Sequence, residues 1–175
     1  MGLEGSGSGL PRMSNFPAMG QVENRLAELG LSLPAPFAPP PGVEFAFDLV
    51  RIQGDLAYVS GHLPMDGDRV LVQGKVDADV SVDEAYEAAR LTGLSILASL
   101  KQELGDLDRV QGWVKALGLV NCTPGFSKTP AVVNGFSELV LEIWGEAGRH
   151  SRSAIGAAEL PFDVPVEVEA IVKIA

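Results

Sequence analysis

The C-terminal run HSRSAIGAAELPFDVPVEVEAIVKIA, residues 150–175, constrains the fold most. It holds two strand-like stretches, 151–159 and 165–174, joined by a short connection through Pro161. Stretches this rich in alternating or continuous apolar residues must be paired in a sheet. The first carries Arg152 and the second carries Glu167 and Glu169. A guanidinium on one strand and carboxylates on its neighbour would make either a small polar site or an ion pair across the hairpin. Spacing alone leaves both readings open.

The rest of the chain supplies the partners for these strands. Residues 43–53 alternate, with Val43, Phe45 and Phe47 set against Glu44, Ala46 and Asp48, and read as a strand. Gly54-Asp55 is a turn signal, and 56–60 reads as the return strand of a hairpin. Asp66-Gly67-Asp68 marks another turn before a short strand over 69–73. Ser81-Val82-Asp83-Glu84 fits a capping box, which predicts a helix over 82–103 that stops at Gly105. Ala85, Ala88, Ala89, Leu94, Leu97, Leu100 and Leu104 share one face of it, and the small alanines imply close approach to a sheet. Residues 110–121 are apolar on both faces and read as an interior strand. A second helix is expected from Pro130, with Thr129 as its N-cap, a stripe of Val132, Val133, Phe136, Leu139, Val140, Ile143 and Trp144, and an end at Gly145–Gly148.

The order βββ-α-β-α-ββ predicts a two-layer α+β domain, a mixed sheet with two main helices on one face. Apolar residues on the other face would then need covering by further subunits. Residues 1–12, with Gly5-Ser6-Gly7-Ser8-Gly9, read as a flexible linker or expression scar, and Met13 as a native start. Residues 13–175 read as a single domain. Within it 13–42 is a leader, made of a short helix over 20–29 and a proline-rich connector over 33–42.

Composition excludes several classes. The formal net charge of -10 opposes binding to nucleic acid or to an anionic membrane, both of which require clustered Lys and Arg. With one cysteine, Cys122, and two histidines, His62 and His150, the chain offers no Cys/His metal site. A lone cysteine also suits a reducing compartment, and no apolar run reaches the about 20 residues of a membrane span. A soluble, cytoplasmic protein without metal or cofactor is expected.

A few residues invite a functional reading. Arg152 lies between Ser151, Ser153 and Ala154, which leave room for a ligand carboxylate held by two parallel hydrogen bonds. Glu167, beside apolar residues, could hold or activate a water as general base, whereas Glu169 reads as exposed. Asn134-Gly135 costs stability inside a helix, so it requires close packing or a hydrogen bond to a site. Ser60-Gly61-His62 lacks a third group to orient the histidine as a base, so Ser60 reads better as a hydrogen-bonding residue in a turn. His150 could cap carbonyls or line a cleft, and Cys122 reads as core.

Residues 150–169 closely resemble the C-terminal signature of the YjgF family, also called the Rid family. Arg152-Ser153, Leu160-Pro161 and Val166-Glu167-Val168-Glu169-Ala170 stand at the positions of that signature. Tyr58-Val59-Ser60-Gly61 with Pro64 resembles the family's hairpin, and Asn134 its helix asparagine. The longer stretch around 133–150 and the leader at 29–34 resemble a YjgF-like subgroup. The resemblance implies a chorismate-mutase-like fold and a barrel-like homotrimer with clefts between subunits. It implies cofactor-independent hydrolysis of reactive imines or enamines to 2-oxo acids and ammonia. Arg152 would clamp the substrate carboxylate, Glu167 would position water, and Ser60 and Asn134 would line the pocket. Three positions differ from the best-known branch. Phe47 stands where a pocket tyrosine is usual, Ala154 where a cysteine is common, and His62 where glutamine is frequent. A non-enzymatic binder of small carboxylates is the alternative, and the endoribonuclease label carried by some members fits an acidic chain less well.

Overall fold

The structure, a computed structural model, describes residues 20–39 and 42–175. The linker expected over 1–12, Met13, and Pro40 and Pro41 of the connector lie outside the described residues. The elements are α1 (Gln21–Glu28), β1 (Val50–Gln53), β2 (Leu56–His62), β3 (Met65–Asp66), β4 (Arg69–Val70), α2 (Val82–Leu104), β5 (Val110–Asn121), α3 (Thr129–Trp144), β6 (Ser151–Ala157) and β7 (Val166–Ile174).

Five strands form one mixed sheet in the order β1-β2-β7-β5-β6, and β3 and β4 form a separate ribbon. All pairs in the main sheet are antiparallel except β5 with β6. The helices pack on one face, as the strand–helix–strand order requires. The capping box of α2 forms in full: Ser81 Oγ accepts from the Glu84 amide, and the Glu84 carboxylate accepts from the Ser81 amide. Ala85, Ala88 and Ala89 are fully buried, so α2 lies close to its neighbours. Val132, Val133, Phe136, Leu139 and Val140 of α3 are equally buried, and the inner face of the sheet supplies Ala57, Ala116, Val120, Val166, Val168 and Val172. Tyr58, Val114 and Ile155 remain exposed on the opposite face. Among the described residues, no helix is long and apolar enough to cross a membrane.

Four expectations are corrected. First, β6 and β7 are not a hairpin: β5 lies between them and pairs with both. Residues 158–165 are too long for a tight hairpin turn, and through the turn Pro161–Asp163 they carry the chain past the end of β5. Second, the strand expected over 43–53 is confined to Val50–Gln53. The alternation of Phe45 and Phe47 serves ring stacking instead, with Phe45 against Phe37 at 5.5 Å and against Phe47 at 4.9 Å. Third, the strand over 69–73 shrinks to the two residues of β4 and stays outside the main sheet. Fourth, Thr129 does not cap α3, because its hydroxyl donates to the Ala154 carbonyl at 3.1 Å and ties the helix start to β6.

Candidate functional site: two polar half-sites on opposite faces of the sheet

Register decides which face each side chain takes. Arg152 pairs with Ala116 and Glu167 pairs with Leu119 on the regular part of β5. Positions three apart on a strand point to opposite faces. Arg152 therefore faces the helices and Glu167 faces away from them. The ion pair between them, open on spacing alone, does not form.

On the helix side, Arg152 Nη1 donates to Asn134 Oδ1 at 3.0 Å and to Ser137 Oγ at 2.9 Å. Its Nη2 donates to the Pro130 carbonyl at 3.3 Å. All three acceptors are neutral. Among the described residues Arg152 takes part in no ion pair. Burial lowers its pKa and the field of Glu138 opposes that, but a guanidinium keeps its proton. Glu138 itself accepts from the Tyr86 hydroxyl at 2.7 Å. The result is a half-buried positive charge held in place without a counter-charge in contact.

Ser137 and His150 complete this half-site. Ser137 lies three residues after Asn134, on the same helix face. His150 Nδ1 lies 2.8 Å from the Gly148 carbonyl and Nε2 lies 3.0 Å from Ser137 Oγ. A carbonyl can only accept, so Nδ1 carries the proton of the neutral ring and Nε2 accepts from Ser137. Burial lowers the His150 pKa, the bond to the Gly148 carbonyl opposes that, and the charge of Arg152 lowers it further, so the balance favours the neutral ring. His150 thus takes the first of the two roles open to it, bonding a backbone carbonyl at the end of the helix. Ser137 was not singled out in the sequence, although the spacing from Asn134 was a usable signal. Ala154 lies two residues beyond Arg152 on the same face of β6, opposite Gly118.

Glu167, from the other face, lines a cavity of about 410 Å³ at the end of β2 with Phe37, Phe45, Phe47, Leu63 and Phe162, and His62 and Ser95 reach it from the helix side. Burial, and then repulsion from Glu169, raises its pKa. The carboxylate occupies the space a side chain on Gly61 would need: a Cβ there would lie 1.8 Å from Glu167 Oε1. The Ser60 hydroxyl, expected to line the pocket, donates instead to the Asp48 carbonyl at 2.7 Å and holds the segment before β1. His62 Nδ1 lies 2.6 Å from the Ser60 carbonyl and Nε2 2.8 Å from Ser99 Oγ. Neither ring nitrogen meets the Ser60 hydroxyl, so the two form no nucleophile–base pair. Gly61→Ala is expected to leave the melting temperature within about 2–4 °C, a shift equivalent to about 1 kcal/mol, because the clash is with the mobile end of a side chain. It should nevertheless displace the Glu167 carboxylate, read as a lost chemical-shift perturbation on titrating that group.

Among the described residues, the acidic group spaced for a metal is Glu23, Asp106 and Asp108. Most of its oxygens are already engaged, and the exception is Glu23 Oε2, which is buried without a hydrogen-bond partner among the described residues. Asp108 accepts from the amides of Gln21 and Val22 at 2.7 and 2.8 Å, and Glu23 pairs with Lys101. That arrangement fixes the start of α1 and is structural.

A mixed five-stranded sheet with two helices on one face, an arginine on the edge strand and a glutamate on the far side defines a chorismate mutase-like α+β protein. Residues 23–170 match the family described as "YjgF/chorismate mutase-like, putative endoribonuclease", and the chain belongs to that family. It is 39% identical over 160 residues to Protein TCP17 of Trypanosoma cruzi, covering 90% of this chain and 96% of that one. Among solved structures, the protein Atu1372 from Agrobacterium tumefaciens is similar at 41% identity and a TM-score of 0.78, with 88% of this chain and 92% of that chain covered. A protein from Shewanella oneidensis MR-1, described as a putative endoribonuclease, is similar at 34% identity and a TM-score of 0.79, covering 87% of this chain and 99% of that chain.

Proposed function

We propose that the protein hydrolyses reactive 2-imino acids or their enamine tautomers to 2-oxo acids and ammonia, in clefts between the subunits of a homotrimer. The observation that carries the reading is the Arg152 guanidinium, held by Asn134, Ser137 and the Pro130 carbonyl without an anion in contact. A ligand carboxylate would supply the missing charge through charge-assisted hydrogen bonds. Glu167 faces the other side of the sheet, so one chain cannot bring both groups to one small substrate. A neighbouring subunit laid against the β6 edge would supply the second half, and the exposed Tyr58, Val114 and Ile155 offer apolar surface for such an assembly.

The chemistry needs no electrophile beyond the substrate. Water oxygen attacks the imine carbon while Glu167 takes one water proton and passes it to nitrogen, giving the carbinolamine. Glu167 then carries the remaining hydroxyl proton to nitrogen, so that the carbonyl forms as the carbon–nitrogen bond breaks and ammonia leaves. A carboxylate whose pKa is raised by burial is a stronger base than a solvated one and suits both transfers. Phe47 and Ala154 bring no hydroxyl or thiol, so proton transfer falls to Glu167. The net charge of -10 supports this reading over an endoribonuclease.

The test is 2-oxo acid and ammonia release from an imine freshly generated by an amino-acid oxidase. Wild type should exceed the spontaneous rate, and Glu167→Gln should lose about 10²–10⁴-fold as a lost general base. An unchanged rate in the variant would remove Glu167 from the reaction. The Arg152 half-site alone also supports a carboxylate sensor. That reading predicts ligand-dependent thermal stabilisation with no turnover.

A further inference from the structure

We infer that the cavity beside Glu167 selects substrates by a large apolar side chain, aromatic or long aliphatic, and disfavours imines of three-carbon amino acids. This rests on the imine-hydrolysis reading and specifies its substrate class. The chain has seven phenylalanines, and four of them, Phe37, Phe45, Phe47 and Phe162, line this one cavity, joined by Leu63 and Met65. A volume of about 410 Å³ lies within the about 300–1,000 Å³ of small-molecule sites and far exceeds the space that the one-carbon side chain of a three-carbon amino acid fills. A concave apolar wall with a few convergent polar groups, here Glu167, His62 and Ser95, is the pattern of a small-ligand site and not of a flat subunit contact.

The wall is built by the leader and by a strained turn. Asp66 Oδ1 accepts from the Ala35 amide at 2.8 Å, and the Ala35 carbonyl accepts from the Gly67 amide at 2.9 Å. These bonds anchor the leader on the β3–β4 ribbon and bring Phe37 over Phe45. The interplanar angles of 11° and 19° show three near-parallel rings, Phe37, Phe45 and Phe47. Facing them is Phe162, with φ +55° and 53% of its surface exposed. A left-handed phenylalanine is costly and persists where its surroundings over-determine it. They do so here. Gln73 Nε2 donates to the Phe162 carbonyl at 2.8 Å, the Gly74 amide donates to the Asp163 carbonyl at 2.7 Å, and Asn121 Nδ2 donates to Asp163 Oδ1 at 3.0 Å. The strained turn keeps an aromatic ring at the cavity where a relaxed backbone would release it.

The experiment measures kcat/KM for imines generated from phenylalanine, leucine and alanine, in wild type and in Phe162→Ala and Phe47→Ala. Each methylene placed in an apolar pocket discriminates by about 10–200-fold. Wild type should therefore favour the phenylalanine- and leucine-derived imines over the alanine-derived one by at least about tenfold. Each variant should lower that ratio. A ratio near one in wild type, or a ratio unchanged in both variants, overturns the inference. Should no imine be turned over, the function proposed above fails, and selectivity is read from binding. Phenylpyruvate but not pyruvate should then raise the melting temperature, and Phe47→Ala should abolish the shift. Equal shifts from the two acids overturn the inference, as does loss of oligomeric state in both variants, which would assign the phenyl wall to a subunit contact.

Discussion

Arg152→Ala is expected to reduce kcat/KM for imine hydrolysis by about 10- to 150-fold, the equivalent of about 1.5–3 kcal/mol for a hydrogen bond to a charged group. The protein should remain folded, because Arg152 is half-buried on an edge strand and its partners are neutral. Removing it therefore strands no buried charge, in contrast to breaking an ion pair. Arg152→Lys should recover only part of the rate, since an ammonium cannot present two parallel donors to a carboxylate. The loss should appear in KM where the carboxylate contact is equal in ground and transition states, and in kcat where it orients the imine for attack. Equal kcat/KM in wild type and Arg152→Ala would show that the guanidinium serves only to tie β6 to α3.

Gly135→Ala is expected to lower the melting temperature by about 4–8 °C or more, measured by thermal unfolding. A Cβ on Gly135 would lie 2.0 Å from the Tyr86 carbonyl oxygen, 2.9 Å from its carbon and 3.2 Å from the Arg90 amide nitrogen. All three atoms belong to the backbone of α2 and cannot rotate away. Two effects compete. Alanine improves helix propensity by about 1 kcal/mol. Overpacking costs about 1–3 kcal/mol and more where backbones must separate. A contact this short belongs at or above the upper end, so about 2 kcal/mol or more of net loss is expected, at about 2–4 °C per kcal/mol for a chain of this size. The helix pair is also joined by Tyr86 to Glu138 at 2.7 Å and Arg90 to Glu142 at 2.5 Å, contacts that separation would disturb. An unchanged or raised melting temperature would show that α2 and α3 can part without cost.

The two residues of Asn134-Gly135 illustrate what could be anticipated. An amide and a glycine inside a helix required either close packing or a hydrogen-bond partner, and the structure uses one residue for each. Gly135 admits α2, and Asn134 accepts from Arg152. The helices were legible for similar reasons: Ser81, Glu84 and Gly105 define α2 by local hydrogen bonding, and the stripe from Val132 to Ile143 defines the buried face of α3. Phe45 and Phe47 misled because alternation reports only that side chains at every second residue share a surroundings. It does not say whether those surroundings are a sheet or a stack of rings.

The sequence by itself determined the two-layer α+β architecture, the span of α2, the span of β5, and the residue types able to hold a carboxylate or a water. Those features follow from periodicity, capping and side-chain chemistry, which act over a few neighbouring residues. Only the tertiary structure decided that β5 separates β6 from β7 and that Arg152 and Glu167 face opposite ways. It alone recruited Ser137 and His150 to Arg152, and gathered Phe37, Phe47 and Phe162 around Glu167. Strand order and register are set by pairing between distant segments. A shift of one residue turns every side chain to the other face, and neither spacing nor composition records which pairing wins.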